Sequence, residues 1–140
     1  MIINGTYVFV ERLQGSGSLN FVLIHNAGYA ERGTSEIDRN ELMKIINLNL
    51  VAAIDMITIV APLMKQQKSG TIINLASRSG KIARPFLGGY AASKAGILAF
   101  NEAAYKELIE YGIKVTAICP GYVATRMSQN IKSIPQSEMI

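Results

Sequence analysis

The stretch Tyr90-Ala91-Ala92-Ser93-Lys94 sets a phenol and an ammonium four positions apart. If Tyr90 opens a helix, this spacing lays Lys94 on the same face, one turn along. A free phenol, with a pKa near ~10, is a poor acid or base at neutral pH. A cation held beside it favours the phenolate and lowers that value. The pair is therefore a candidate proton-transfer device for a carbonyl or an alcohol. A tyrosine and a lysine at this spacing are common, and a polar pair on the first turn of an ordinary helix is the bland reading. What separates the two is the rest of the chain. Ser77 lies thirteen positions before Tyr90, and Ser79 competes with it as the nearby hydroxyl.

Further groups lie outward from this stretch. Asn49 stands in Ile46-Asn47-Leu48-Asn49-Leu50, and Asn26-Ala27-Gly28 follows an apolar run. Downstream come Pro120-Gly121 and Thr125. Taken singly, each has an ordinary reading: a strand-end cap, a helix irregularity, a turn glycine. Taken together, in this order and spacing, they make the chain resemble the short-chain dehydrogenase/reductase family from about Leu19 to about Met127. The resemblance implies an NAD- or NADP-dependent oxidoreductase that passes a hydride between cofactor and a small carbonyl or alcohol substrate. It implies Tyr90 as general acid and base, and Lys94 as the cation that lowers its pKa and holds the nicotinamide ribose. Ser77 would orient the substrate oxygen, and Asn49 would hold a water linking Lys94 to solvent. Asn26, Ala27 and Gly28 would pass close to the cofactor, while Pro120, Gly121 and Thr125 would shape the nicotinamide pocket.

The chain departs from the family at its start. Members open with a strand and a glycine-rich turn that cradles the cofactor pyrophosphate at a helix N-terminus. Here Gly15 and Gly17 lack a third glycine and precede a strand, so they read as a connector. The resemblance therefore covers a partial domain, residues 1–140 being one incomplete unit that lacks the cofactor turn and the family's C-terminal end. The alternative function is a non-catalytic module that keeps the core for assembly. Family members commonly assemble through the two long helices, here residues 50–67 and 90–111, which implies a homo-oligomer.

The pattern along the chain gives the expected elements. Apolar runs from Phe21 to His25, Thr71 to Ala76 and Lys114 to Cys119 read as buried parallel strands. Thr34, Ser35 and Asp38 offer N-caps for a helical region over residues 38–68, irregular near Asn49 and Pro62. Lys68-Ser69-Gly70 reads as its stop. A second helix is expected over residues 90–111, ended by Gly112, with Glu102 and Lys106 as an i,i+4 pair. Alternating strands and helices imply right-handed crossovers and a three-layer, Rossmann-like α/β sandwich, incomplete at its ends. Residues 7–13 are expected to be helical by analogy with the family. Their strand propensity leaves a hairpin through Asn4-Gly5 as the alternative, patching a sheet edge.

Composition bounds the remaining classes. In 140 residues, 49% are hydrophobic, enough to bury a core. The single cysteine, Cys119, sits in an apolar run and reads as a buried small hydrophobe of a reducing compartment. One histidine and one cysteine far apart form no metal-ligand cluster, and His25 reads as a hydrogen-bonding residue between strands. The net charge is +4, but the basic residues are spread, the densest group being Arg78, Lys81 and Arg84. No nucleic-acid partner is expected. These three read as solvated loop charges, with attraction of an anionic substrate or carrier as the functional alternative. Asn47, Asn49, Asp55 and Pro62 argue against a membrane span between Ile45 and Met64. No signal peptide is apparent, and a cytoplasmic location is expected.

Overall fold

The computed structural model describes the backbone of residues 2–3, 6–12 and 19–121, and the side chains of residues 21–121. Three of its strands form the expected parallel unit: β3 (Leu19–His25), β4 (Gly70–Leu75) and β5 (Ile113–Ile118). Val22 to His25 pair with Thr71 to Asn74, and Gly70 to Leu75 pair with Ile113 to Ile118, all in parallel register. Each strand boundary lies within two residues of its sequence expectation.

The N-terminal expectation is overturned. Thr6–Arg12 is strand β2, not a helix, and β1 is the short strand Ile2–Ile3. β2 pairs antiparallel with β3 from Thr6 opposite His25 to Arg12 opposite Leu19. β1 pairs antiparallel with β2. The physical reason is twofold. Tyr7, Val8, Phe9 and Val10 favour a pleated surface. The edge of β3 also offers a full row of backbone donors and acceptors, which must be satisfied somewhere. The hairpin alternative is the arrangement found. Asn4-Gly5, between the two strands, lies outside the described residues, as do Gly15, Gly17 and Thr125.

The sheet order is β1-β2-β3-β4-β5, so β3 lies between an antiparallel and a parallel neighbour. Helices α1 (Arg39–Ile46), α2 (Ala52–Gln67) and α3 (Gly88–Leu108) supply the connections of the parallel part. Leu23, Ile72 and Val115 stand in register on one face of the sheet. They pack against Met56, Ile57, Val60 and Met64 of α2 and Ala104 and Leu108 of α3. The described residues thus provide the sheet and one helical layer of the sandwich. On the opposite face Val22, Ile24, Ile73 and Leu75 are half-buried and Ile118 is exposed.

The long helical region begins where Asp38 Oδ1 accepts from the N–H groups of Asn40 and Glu41, at 2.9 and 3.2 Å. It is not one continuous α-helix. Residues Asn47–Val51 form a π turn, in which the Ala52 N–H reaches back to the Asn47 carbonyl. The irregularity expected near Asn49 is there, whereas α2 continues through Pro62. Residues 39–67 are long and apolar enough to cross a membrane by length and composition alone. Their buried side chains, including Ile45, Ala53, Met56, Val60 and Met64, nevertheless pack inside this domain.

The stop of α2 also differs from expectation. Lys68 itself takes the left-handed conformation, φ 54°, and Gly70 already belongs to β4. A Cβ on Gly70 would lie 2.5 Å from the Met64 sulfur, so a side chain there would require Met64 to repack. At the other end, α3 passes into a short 3₁₀ turn, Ile109–Tyr111, and Gly112 closes it with φ 71°. Glu102 and Lys106 pair at 2.5 Å as their spacing predicts.

Candidate active site

The carboxyl ends of β3, β4 and β5 meet at one end of the sheet, the place where ligands bind in open α/β folds. β3 ends at His25, directly before Asn26-Ala27-Gly28. Ala27 is buried while Asn26 and Gly28 are exposed. β4 ends at Leu75, directly before Ala76-Ser77. β5 ends at Ile118, before Cys119-Pro120-Gly121. The last two loops are strapped together beyond the sheet. The Ala76 N–H donates to the Ile118 carbonyl at 2.8 Å, and the Arg78 N–H donates to the Pro120 carbonyl at 3.0 Å.

Ser77 has extended backbone and caps the 3₁₀ turn Arg78–Gly80, its hydroxyl accepting from the Ser79 N–H at 3.1 Å. Ser79 is therefore part of the turn that holds Ser77. The Ser77 hydroxyl shares a hydrogen bond with the Tyr90 phenol. The turn sits hard against α3: a Cβ on Gly80 would stand 2.7 Å from the Lys94 carbonyl carbon. This close backbone approach brings a strand-end serine onto the first turn of the next helix.

Tyr90 is the third residue of α3, and Lys94 follows one turn on. The Lys94 ammonium donates to the Leu75 carbonyl at 2.8 Å and lies 5.8 Å from the centroid of the Tyr90 ring. Burial lowers the Lys94 pKa to about 8. Tyr90 moves in the direction opposite to the sequence expectation. Burial raises its pKa, and the hydrogen bond to Ser77 opposes the rise. Desolvation of the phenolate outweighs the hydrogen bond from Ser77.

Asn49 is wholly buried in the π turn. Its Oδ1 accepts from the Tyr29 N–H at 2.7 Å, and its Nδ2 donates to the Tyr29 carbonyl at 2.8 Å. Nδ2 also donates to the Ser93 hydroxyl at 3.0 Å, and that hydroxyl donates to the Tyr90 carbonyl at 2.7 Å. The Asn49 side chain thus ties the loop after β3 to the first turn of α3. Tyr29 and Ser93 were not singled out by the sequence. The only signals were their positions, directly after Asn26-Ala27-Gly28 and inside the Tyr90–Lys94 stretch.

The loop after β3 is also held from outside. The Tyr29 hydroxyl donates to Glu41 at 2.7 Å, and the Lys44 ammonium lies 4.1 Å above the Tyr29 ring. The Gly33 N–H donates to the Phe86 carbonyl at 2.8 Å. The Gly88 N–H donates to the Thr34 hydroxyl at 3.1 Å, joining this loop to the one that carries Lys81 and Arg84.

A family model described as short chain dehydrogenase matches residues 9–135. The chain belongs to that family. It is 39% identical over 104 residues to ketoacyl reductase HetN of Nostoc sp., covering 74% of this chain and 36% of that protein. It is 36% identical over 121 residues to a 3-oxoacyl-[acyl-carrier-protein] reductase of Synechocystis sp., covering 85% and 49%. Among solved structures it resembles a gluconate 5-dehydrogenase from Burkholderia cenocepacia in complex with NADP and tartrate. That match has a TM-score of 0.78 at 25% identity, over 86% of this chain and 47% of the other. A 3-oxoacyl-[acyl-carrier protein] reductase with bound NAD from Brucella melitensis matches with a TM-score of 0.71 at 29% identity, over 78% and 44%. The chain spans half or less of the length of each of these short-chain dehydrogenase relatives.

Proposed function

We propose that this chain carries the reacting end of a nicotinamide-dependent oxidoreductase acting on a small carbonyl or alcohol. The observation that carries the reading is the convergence of Ser77, Tyr90 and Lys94 at the carboxyl end of β4. A nicotinamide cofactor, NAD or NADP, would supply or accept the hydride when bound. Tyr90 gives its phenolic proton to the substrate oxygen in reduction and takes it back in oxidation. Ser77, already bonded to that phenol, orients the same oxygen. The Lys94 ammonium, freed from the Leu75 carbonyl, would hold the ribose and favour the phenolate. Asn26 and Gly28, exposed after the end of β3, and Pro120 and Gly121 would line the nicotinamide end.

The fit to the cofactor is uneven. The groups above suit its nicotinamide-ribose half. For the pyrophosphate, no glycine-rich strand-turn-helix occurs among the described residues, and the antiparallel β2 lies beside β3. Two of the similar proteins bear 3-oxoacyl reductase names, so a 3-oxoacyl thioester is the first substrate to test. The experiment is oxidation of NADH and NADPH driven by such a thioester, with Tyr90→Phe as control. Turnover that survives Tyr90→Phe unchanged overturns the assignment of the acid.

A second reading is an assembly module without turnover. It is favoured by the exposed apolar residues on the outer faces of the two long helices: Ile59 and Leu63 on α2 and Tyr105 on α3. These suit a homo-oligomer built through residues 50–67 and 90–111, in a cytoplasmic setting. Self-association without any cofactor-dependent turnover, in a folded chain, favours this reading.

A further inference from the structure

His25 is the last residue of β3 and is wholly inaccessible to solvent. It is the only histidine in the chain. It stands in register with Asn74, which donates through Nδ2 to Asn101 on α3 at 2.9 Å. The His25 ring does not serve only its neighbouring strands, as the sequence suggests. It hydrogen-bonds to the backbone of Asn49, in the π turn of the helical layer. A π turn leaves the regular i→i−4 ladder, so its carbonyls need partners from elsewhere.

We propose that His25 is a positioning residue of the site: its imidazole N–H anchors the π turn to the end of β3 and thereby fixes where the Asn49 carboxamide holds Tyr29 and Ser93. The chain of contacts is continuous. His25 holds the Asn49 backbone, the Asn49 side chain clamps the Tyr29 backbone and the Ser93 hydroxyl, and Ser93 holds the Tyr90 carbonyl. One imidazole therefore sets the relative places of the loop after β3 and the first turn of α3. Its surroundings keep the ring neutral. Burial lowers its pKa to about 4, and the Lys94 charge on α3 works in the same direction. The side chains of Asn49 and of Asn74, its neighbour in register, carry no charge. A neutral ring with a fixed tautomer is a directional donor.

The inference rests on reading this crevice as the site, but its test requires no turnover. Because the chain has one histidine, ¹⁵N resonances of the imidazole report its tautomer without ambiguity. The expected spectrum is a single neutral tautomer from pH 8 down to pH 5. A ring that exchanges between tautomers, or charges near pH 6.5, overturns the proposal. Amide hydrogen exchange then compares His25→Leu with His25→Asn, which keeps an N–H of similar reach. In His25→Leu the Tyr29 amide should exchange about tenfold faster or more, while the β4 amides keep their protection. His25→Asn should restore the Tyr29 amide. Equal acceleration of all amides, or no change at Tyr29, would mean that His25 merely fills space. If His25→Leu fails to fold, the wild-type tautomer and the His25→Asn exchange pattern still decide.

Discussion

The carboxamide of Asn49 meets the backbone of Tyr29 as a neighbouring strand would, accepting from its N–H at 2.7 Å and donating to its carbonyl at 2.8 Å. The two residues are twenty positions apart, and Asn49 is wholly buried. Nδ2 also donates to Ser93, so both amide hydrogens of the side chain are committed to protein partners.

Asn49→Leu should therefore be severe. It leaves the Tyr29 amide and carbonyl and the Ser93 hydroxyl without the partner they have now. Each unsatisfied buried group costs about 1–3 kcal/mol, so a loss of about 3 kcal/mol or more is expected. Urea unfolding measures it. A loss below about 1 kcal/mol would show that solvent replaces the clamp.

Tyr90→Phe separates chemistry from packing. The substitution removes the proton donor and one hydrogen bond to Ser77, with little change in volume. Cofactor-dependent turnover should fall by about 10²-fold or more, whereas stability should change by about 1 kcal/mol. Parallel assays of thioester-driven NADPH oxidation and urea unfolding test both halves.

Stability should rise with pH in two windows. The folded pKa of His25 is about 4 against an ordinary value of 6.5, and that of Lys94 is about 8 against 10.5. In each window the unfolded chain binds more protons than the folded one, so unfolding becomes harder as pH increases. Each shift corresponds to roughly 3 kcal/mol across its window. Above pH 10 the raised pKa of Tyr90 works the other way, because the folded chain then keeps a proton that the unfolded chain loses. Urea unfolding from pH 4 to pH 10 should show both rises. Lys94→Met should flatten the upper one and His25→Asn the lower one.

Two glycines in the site loops should behave differently. A Cβ at Gly80 would meet only backbone: the Lys94 carbonyl carbon and oxygen at 2.7 and 2.8 Å and the Ala95 nitrogen at 2.9 Å. Gly80→Ala must push the Ser77 turn off α3, at a cost of about 1–3 kcal/mol. Among the described residues a Cβ at Gly121 would meet nothing within 4 Å. Gly121→Ala should stay within about 0.5 kcal/mol of wild type. Thermal unfolding of the two variants side by side is the check, and equal effects would contradict the close approach at Gly80.

Much of this architecture is legible in the sequence because local and tertiary demands agree. The runs ending at His25, Leu75 and Ile118 are apolar and bounded by turn residues, and Asp38 caps its helix as a short acceptor should. Ser77 and Tyr90 converge because strand ends and helix starts share one end of the sheet. The failures have a different origin. Residues 7–13 were read by analogy with a helix, although their side chains favour a strand. Which wins depends on whether β3 has an open edge, a property of the sheet and not of the segment. Ser93 and Tyr29 look like ordinary residues until Asn49 reaches them, across 44 and 20 positions. The Leu75 carbonyl that holds the Lys94 ammonium is a main-chain acceptor, and no sequence pattern reveals it.

The last prediction concerns the sheet. β2 closes the edge of β3, as the hairpin alternative for these residues implies. Among the described residues β5 is the end strand of the sheet, and Ile118 is exposed. An end strand beside a half-covered apolar face favours pairing with another copy. The 140-residue chain should therefore self-associate in a concentration-dependent manner in sedimentation velocity. Fluorescence titration with NADH or NADPH should show no saturation in the low-micromolar range, since β2 lies where a parallel cofactor strand would pair with β3. A stable monomer that binds either cofactor tightly would mean that the pyrophosphate is held by a different arrangement of this chain, with β2 displaced from β3. Loss of amide protection along residues 6–12 on adding cofactor would be the direct sign of that displacement.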